Sequence, residues 1–176
     1  MHIAIIGASA GTGLLCVREA LARGHAVTAL SRHALPLPAH APLKALRGDA
    51  TRPDDVRAAV ASADAVLVTL GTGRSLRATT LFTDAAAALL QALGGRDVPL
   101  VVLSGFGAGD SLACQPALLR LLFRLFLGRI YADKSAMERM LVAGHRQWEM
   151  VRPGVLTDGP ATGRYRILAT LQAGMR

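Results

Sequence analysis

Gly7, Gly11 and Gly13 fall within one short run near the amino terminus, Gly7-Ala8-Ser9-Ala10-Gly11-Thr12-Gly13. Glycines at this spacing let the chain turn sharply and bring its own amides against a phosphate, because a Cβ would block either the turn or the approach. The run lies between an apolar segment, His2–Ile6, and a segment in which Leu14, Val17 and Leu21 recur at helical spacing. A diphosphate seated on this run would meet unpaired N–H groups and the positive end of the helix dipole. Inside a strand–turn–helix–strand unit this pattern predicts a dinucleotide-binding turn, the alternative being a tight turn with no ligand.

The end of the next strand would select the dinucleotide. Sites for NAD usually place a carboxylate about 20 residues beyond the turn, accepting from the ribose 2′-hydroxyl. Here the chain reads Leu30-Ser31-Arg32-His33 and offers no acid. Arg32 can form a charge-assisted fork with a 2′-phosphate, and Ser31 can donate a hydrogen bond to it. The expectation is therefore NADP (NADPH) over NAD.

Further along, Gly48-Asp49-Ala50 follows a predicted strand, where an adenine edge would lie, though Asp49 would serve equally as a turn residue. Leu70-Gly71-Thr72-Gly73 offers backbone close to the same ligand. Ser104 could hydrogen-bond a substrate or cap the turn before Gly105. Lys134 could orient a nicotinamide ribose or donate a proton; it also stands four residues before Glu138, the spacing of a surface ion pair. His145 and Trp148 read as structural, and Asp158 as a turn former. No His, Cys and carboxylate set has metal-ligand spacing.

These residues need a frame, and the chain supplies one. Apolar runs at His2–Ile6, Ala26–Leu30, Leu43–Arg47, Ala65–Leu70, Leu100–Leu103 and Glu149–Arg152 predict strands without the polar alternation of a half-exposed sheet. Helical segments separate most of them. One is opened by Thr51 as cap with Pro53 in its first turn, another is the alanine-rich stretch 80–93, and a third, Leu- and Phe-rich, covers 116–130. The last is too short to span a bilayer and reads as a buried or interface helix. The pattern predicts an α/β, Rossmann-type, doubly wound parallel sheet with helices on both faces, as a single domain over residues 1–176.

Composition narrows the function classes. Hydrophobic residues make up 52% of the 176 but aromatics only 4%, so the core is built of Leu, Val, Ile and Ala. The formal charge of +8 is carried almost wholly by arginines, Lys44 and Lys134 being the two lysines. Such a balance suits an anionic ligand. The arginines are scattered, without a dense run or interleaved aromatics, which argues against nucleic acid. Cys16 and Cys114 lack disulfide or metal spacing, and no signal-peptide pattern opens the chain. The expected setting is the cytoplasm, with no membrane partner.

The glycine spacing resembles that of the short-chain dehydrogenase/reductase superfamily. The match is fuller to its atypical NAD(P)H-binding members, the group that contains biliverdin reductase B (flavin reductase) and NmrA-like proteins. It is carried by Ile5-Ile6-Gly7-Ala8-Ser9, Val27–Arg32, Gly48-Asp49-Ala50, Leu70-Gly71-Thr72, Val101–Ser104, Asp133-Lys134 with Glu138, and Val151-Arg152-Pro153-Gly154-Val155-Leu156-Thr157-Asp158. The resemblance implies that Asp49 and Ala50 flank the adenine and that Leu70, Gly71 and Thr72 line the dinucleotide. It also implies that Ser104, Lys134, Pro153 and Val155 approach the nicotinamide.

Two departures stand out. The superfamily's Tyr-x-x-x-Lys pair is absent, since Tyr131 lies three residues before Lys134 and is expected either to point elsewhere on a helix or to precede it. The chain also ends soon after Gly163-Arg164-Tyr165, where the group continues with another strand and helix. The resemblance implies an NADPH-dependent reductase of a flavin-, quinone- or tetrapyrrole-like small molecule, with Lys134 and Ser104 as catalytic candidates. The alternative is a non-catalytic NAD(P) sensor or scaffold of NmrA type.

Overall fold

A computed structural model of the chain describes residues 1–38, 41–73, 75, 77–157, 159–160 and 162–168. Asp158 lies outside them. Six strands form one parallel sheet: β1 (His2–Ile6), β2 (Ala26–Ser31), β3 (Leu43–Arg47), β4 (Ala65–Val68), β5 (Leu100–Leu103) and β6 (Trp148–Val151). Their order is β3-β2-β1-β4-β5-β6, the arrangement of a Rossmann-type doubly wound fold. Four helices connect them: α1 (Gly11–Ala22), α2 (Pro53–Val60), α3 (Leu81–Leu93) and α4 (Ala117–Gly144). The strand order reverses beside β1, and a crevice opens there, at the carboxyl ends of β1 and β4.

Strand periodicity splits the core into two layers. Ala4 and Ile6 of β1 join Val56, Val60, Phe82, Leu89, Val102 and Leu141 on one face, covered by α2, α3 and α4. Ile5, between them, points the other way and packs with Val17 of α1, Val27 and Ala29. Helices thus cover both faces, as the run of apolar residues predicts. Among the described residues the link from β2 to β3 carries no helix; Leu35 and Leu37 of that link pack against the α1 layer.

Three sequence expectations need correction. Helix α2 takes Arg52 as its N-cap and has no side-chain cap. Thr51 instead turns its hydroxyl and its amide onto the Asp49 carboxylate, each at 2.9 Å. Strand β4 closes at Val68, so Leu70 belongs to the loop. The apolar segment at 116–130 is the first half of a helix of 28 residues, and its exposed Leu118, Leu121, Leu125 and Phe126 remove the buried alternative while leaving that of an interface helix untouched. Among the described residues no helix is long and apolar enough to cross a membrane.

Candidate dinucleotide site

The glycine turn is fixed from below by backbone contact. Gly7 donates its N–H to the Leu30 carbonyl at 2.9 Å, tying the turn to the end of β2. Its φ is +93°, and a Cβ there would lie 2.9 Å from the Thr69 carbonyl oxygen. A Cβ on Gly13 would overlap the Gly7 carbonyl, so helix α1 can approach the turn this closely only because residue 13 is glycine. Thr69 braces the arrangement, donating its hydroxyl towards the carbonyls of Ile6 (3.1 Å) and Gly7 (3.2 Å).

Gly11 is different. Its φ is +51° and nothing lies within 4 Å of where its Cβ would stand, so the space above it is open. Helix α1 has no side-chain cap and no acidic residue in its first turn. Its first N–H groups therefore lack any intrahelical partner and face that space. The contrast with α3 is instructive: Asp133, reaching across from α4, accepts from the amides of Phe82 (2.9 Å) and Thr83 (3.2 Å) and from the Thr83 hydroxyl (2.7 Å). One helix start is filled by a carboxylate of the chain itself, and the other opens into a cleft. Asp133→Ala is expected to cost about 1–2 kcal/mol of stability through loss of this cap, measurable as a lower denaturation midpoint; an unchanged midpoint would show the cap to be idle.

That cleft has a volume of about 730 Å³ and runs across the carboxyl ends of β1, β2, β4 and β5. Gly7, Ser9, Ala10, Gly11 and Thr12 form its floor. Ser31, Arg32, His33, Asp49 and Ala50 line one end, and Leu70, Gly71 and Thr72 the wall beyond. Most of the residues singled out from the sequence thus meet in one place. Arg32 is exposed at the tip of β2. The Ser31 hydroxyl is already engaged, donating to the His33 carbonyl at 2.7 Å. Thr51 holds the Asp49 carboxyl below the usual carboxylate range, with the Arg32 and Arg52 charges adding to the effect.

The other end is apolar, walled by Leu81, Phe82, Leu103, Leu127, Ile130 and Tyr131, with Lys134 among them. Lys134 does not pair with Glu138. Its Nζ donates to the Ser104 carbonyl at 2.9 Å and sits 5.0 Å from the centre of the Phe82 ring and 5.3 Å from that of Tyr131. Burial pulls its pKa down, with the charge of Glu138 partly opposing. Glu138 is itself buried and takes a two-pronged hydrogen bond from Arg152 at the end of β6, 3.1 Å from Nε and 2.7 Å from Nη2.

Tyr131 also departs from expectation: it lines the cleft beside Lys134, and burial pushes its phenol pKa up. Residues three apart share a helix face, so the sequence held the signal for this neighbourhood once helix α4 was known to continue past 130. Four predicted site residues lie away from the lining. Gly13 is buried beneath the turn. The Ser104 hydroxyl is buried without a hydrogen-bond partner. Pro153 follows β6 and accepts from the Phe106 amide at 2.8 Å, and Val155 is exposed. His145 is buried, with Nε2 2.7 Å from the Val98 carbonyl, while Trp148 opens β6 and stays 40% exposed, so it is less a packing residue than expected.

A doubly wound parallel sheet with an uncapped helix start opening into a cleft at its reversal point defines the class of dinucleotide-binding α/β proteins. Comparison narrows it: residues 7–174 match the model of the NAD(P)H-binding family, and the chain belongs to that family. Solved structures of similar fold include ChuY, an anaerobilin reductase from Escherichia coli O157:H7, at 21% identity and a TM-score of 0.75, covering 97% of this chain and 81% of that one. A protein from Streptococcus pneumoniae TIGR4, proposed to be an NADH-flavin reductase, matches at 24% identity and a TM-score of 0.72, with 99% and 85% covered. The enzyme WbmH of Bordetella bronchiseptica, solved with NAD+, matches at 19% and 0.68, with 86% and 55% covered. At these identities the likeness is one of fold.

Proposed function

We propose that the chain is an NADPH-dependent reductase that passes hydride to a flat, conjugated small molecule of flavin, quinone or tetrapyrrole type. The observation that carries this reading is the cleft itself, polar and glycine-floored at one end, apolar with a single lysine at the other. The residues fit a dinucleotide: an open space above Gly11, free amides behind it, and no carboxylate at the tip of β2.

In this reading Gly7, Ser9, Ala10, Gly11 and Thr12 hold the diphosphate, with Gly13 allowing the close approach of α1. Arg32 binds the 2′-phosphate, while the Ser31 hydroxyl, its proton already given to the His33 carbonyl, holds the turn that carries Arg32 and does not donate to the phosphate. Asp49 and Ala50 flank the adenine, and Leu70, Gly71 and Thr72 follow the dinucleotide. Ser104, Lys134, Pro153 and Val155 belong to the nicotinamide end, Ser104 through its carbonyl on Lys134. The bound cofactor supplies the hydride. Leu81, Phe82, Leu103, Leu127 and Ile130 exclude water and present flat apolar surface to an acceptor. Lys134, its Nζ steadied by Ser104 and its pKa lowered by burial, donates the proton that balances the incoming charge. Tyr131, kept protonated by the same burial, offers a second donor beside it.

Purified protein is expected to oxidise NADPH faster when FMN, a benzoquinone or dichlorophenolindophenol is added. Lys134→Met should lower that turnover about a hundredfold. Binding of NADPH with no acceleration by any acceptor would overturn the reductase reading. It would favour an NAD(P)-sensing protein of NmrA type, a reading supported by the Ser104 hydroxyl, which is sealed away from the cleft.

A further inference from the structure

Arg47 was not among the residues singled out from the sequence, yet the sheet brings it to the tip of β2. In the parallel register of β2 and β3 it is the partner of Ser31, one residue before Arg32. Its Nε donates to the Arg32 carbonyl at 3.3 Å, and the Gly48 amide that follows donates to the Ser31 carbonyl at 3.0 Å. Arg47, exposed and outside the lining of the cleft, is thus anchored on the backbone of Arg32, which lines it. Among the described residues neither has a carboxylate within ion-pairing distance, whereas neighbouring Arg52 faces Asp55 at 3.9 Å. The nearby acid, Asp49, feels the Arg32 charge without pairing with it, and its Oδ1 accepts from both the amide and the hydroxyl of Thr51. Two arginines tied together at the ends of adjacent strands, neither in an ion pair among the described residues, are placed to meet an anion carrying more than one charge.

We propose that Arg47 is a second specificity determinant for the 2′-phosphate, forming with Arg32 a two-arginine clamp across the ends of β2 and β3. The inference rests on the NADP(H) reading and adds to it a residue on a different strand. With Nε spent on the Arg32 carbonyl, the terminal nitrogens of Arg47 remain to face the phosphate, and the same bond steadies the backbone that carries Arg32.

The test compares adenosine 2′,5′-bisphosphate with 5′-AMP, which differ only in the 2′-phosphate, on wild type, Arg32→Ala, Arg47→Ala and Arg47→Lys, with melting temperatures to confirm folding. Wild type is expected to prefer the bisphosphate by tenfold or more, and Arg47→Ala to reduce that preference about fivefold to tenfold without changing 5′-AMP affinity. Arg47→Lys, which keeps the charge but not the fork, is expected to recover part of the preference. The clamp is overturned if Arg47→Ala leaves the preference intact, or weakens both ligands alike, while Arg32→Ala still abolishes it. If wild type shows no preference at all, the NADP(H) reading falls, and the clamp with it.

Discussion

Replacing Gly11 by valine is expected to leave a folded protein that no longer binds either nicotinamide dinucleotide. The position has φ +51° and open space around its missing Cβ, so the substitution meets no atom of the protein. Its structural cost is the left-handed backbone alone, about 1–2 kcal/mol. The side chain would occupy the space in front of the free amides of α1, and displacing a diphosphate from several charge-assisted hydrogen bonds costs about 3 kcal/mol or more, over a hundredfold in affinity. Gly13→Val is the useful contrast, because its Cβ would overlap the Gly7 carbonyl and crowd the Thr69 hydroxyl at 2.6 Å. It should lose binding and stability together. Calorimetric titration alongside thermal melting separates the two, and undiminished NADPH affinity in Gly11→Val would remove the diphosphate from this turn.

Arg32→Ala is expected to weaken NADPH by about 1.5–3 kcal/mol while leaving NADH nearly unchanged, since one charge-assisted contact to the 2′-phosphate is lost and nothing else. The side chain is exposed and unpaired among the described residues, so no ion pair of the fold is sacrificed. Stability should hold. Equal losses for both nucleotides would mean that Arg32 shapes the turn and does not read the phosphate.

How much of this was legible beforehand differs by element. The inner strands were plain because each is a short, mostly apolar run with punctuation: Ile6 is followed by Gly7, and Val68 comes shortly before Gly71; the edge strands β3 and β6 were fainter, carrying Lys44, Arg47 and Glu149. The glycine turn was legible because only residue identity, spacing and position near the first strand are needed to read it. Helix α4 was not. Gly128 and Arg129 interrupt its apolar stretch, so the periodicity read as ending at Ile130, whereas backbone bonding carries it to Gly144. That error, together with a three-residue spacing read as pointing Tyr131 elsewhere, hid Tyr131 beside Lys134, although residues three apart on a continuous helix share a face.

Other features are tertiary in origin and leave no local trace. Asp133 caps a helix 50 residues away in sequence. Glu138 faces Arg152 and not Lys134, because β6 delivers the arginine to it. Arg47 meets Arg32 only through the register of β2 with β3. Local rules suggested a partner four residues along the helix, and the sheet supplied stronger ones.

Dinucleotide binding depends most directly on the amides at the start of α1. Titrating NADPH into isotopically labelled protein and following the amide resonances of Ser9 to Gly13 measures them without mutation. Large, saturating shifts at those positions, with Arg32 moving for NADPH and not for NADH, are the predicted result. Shifts confined elsewhere, with the turn silent at saturation, would contradict it.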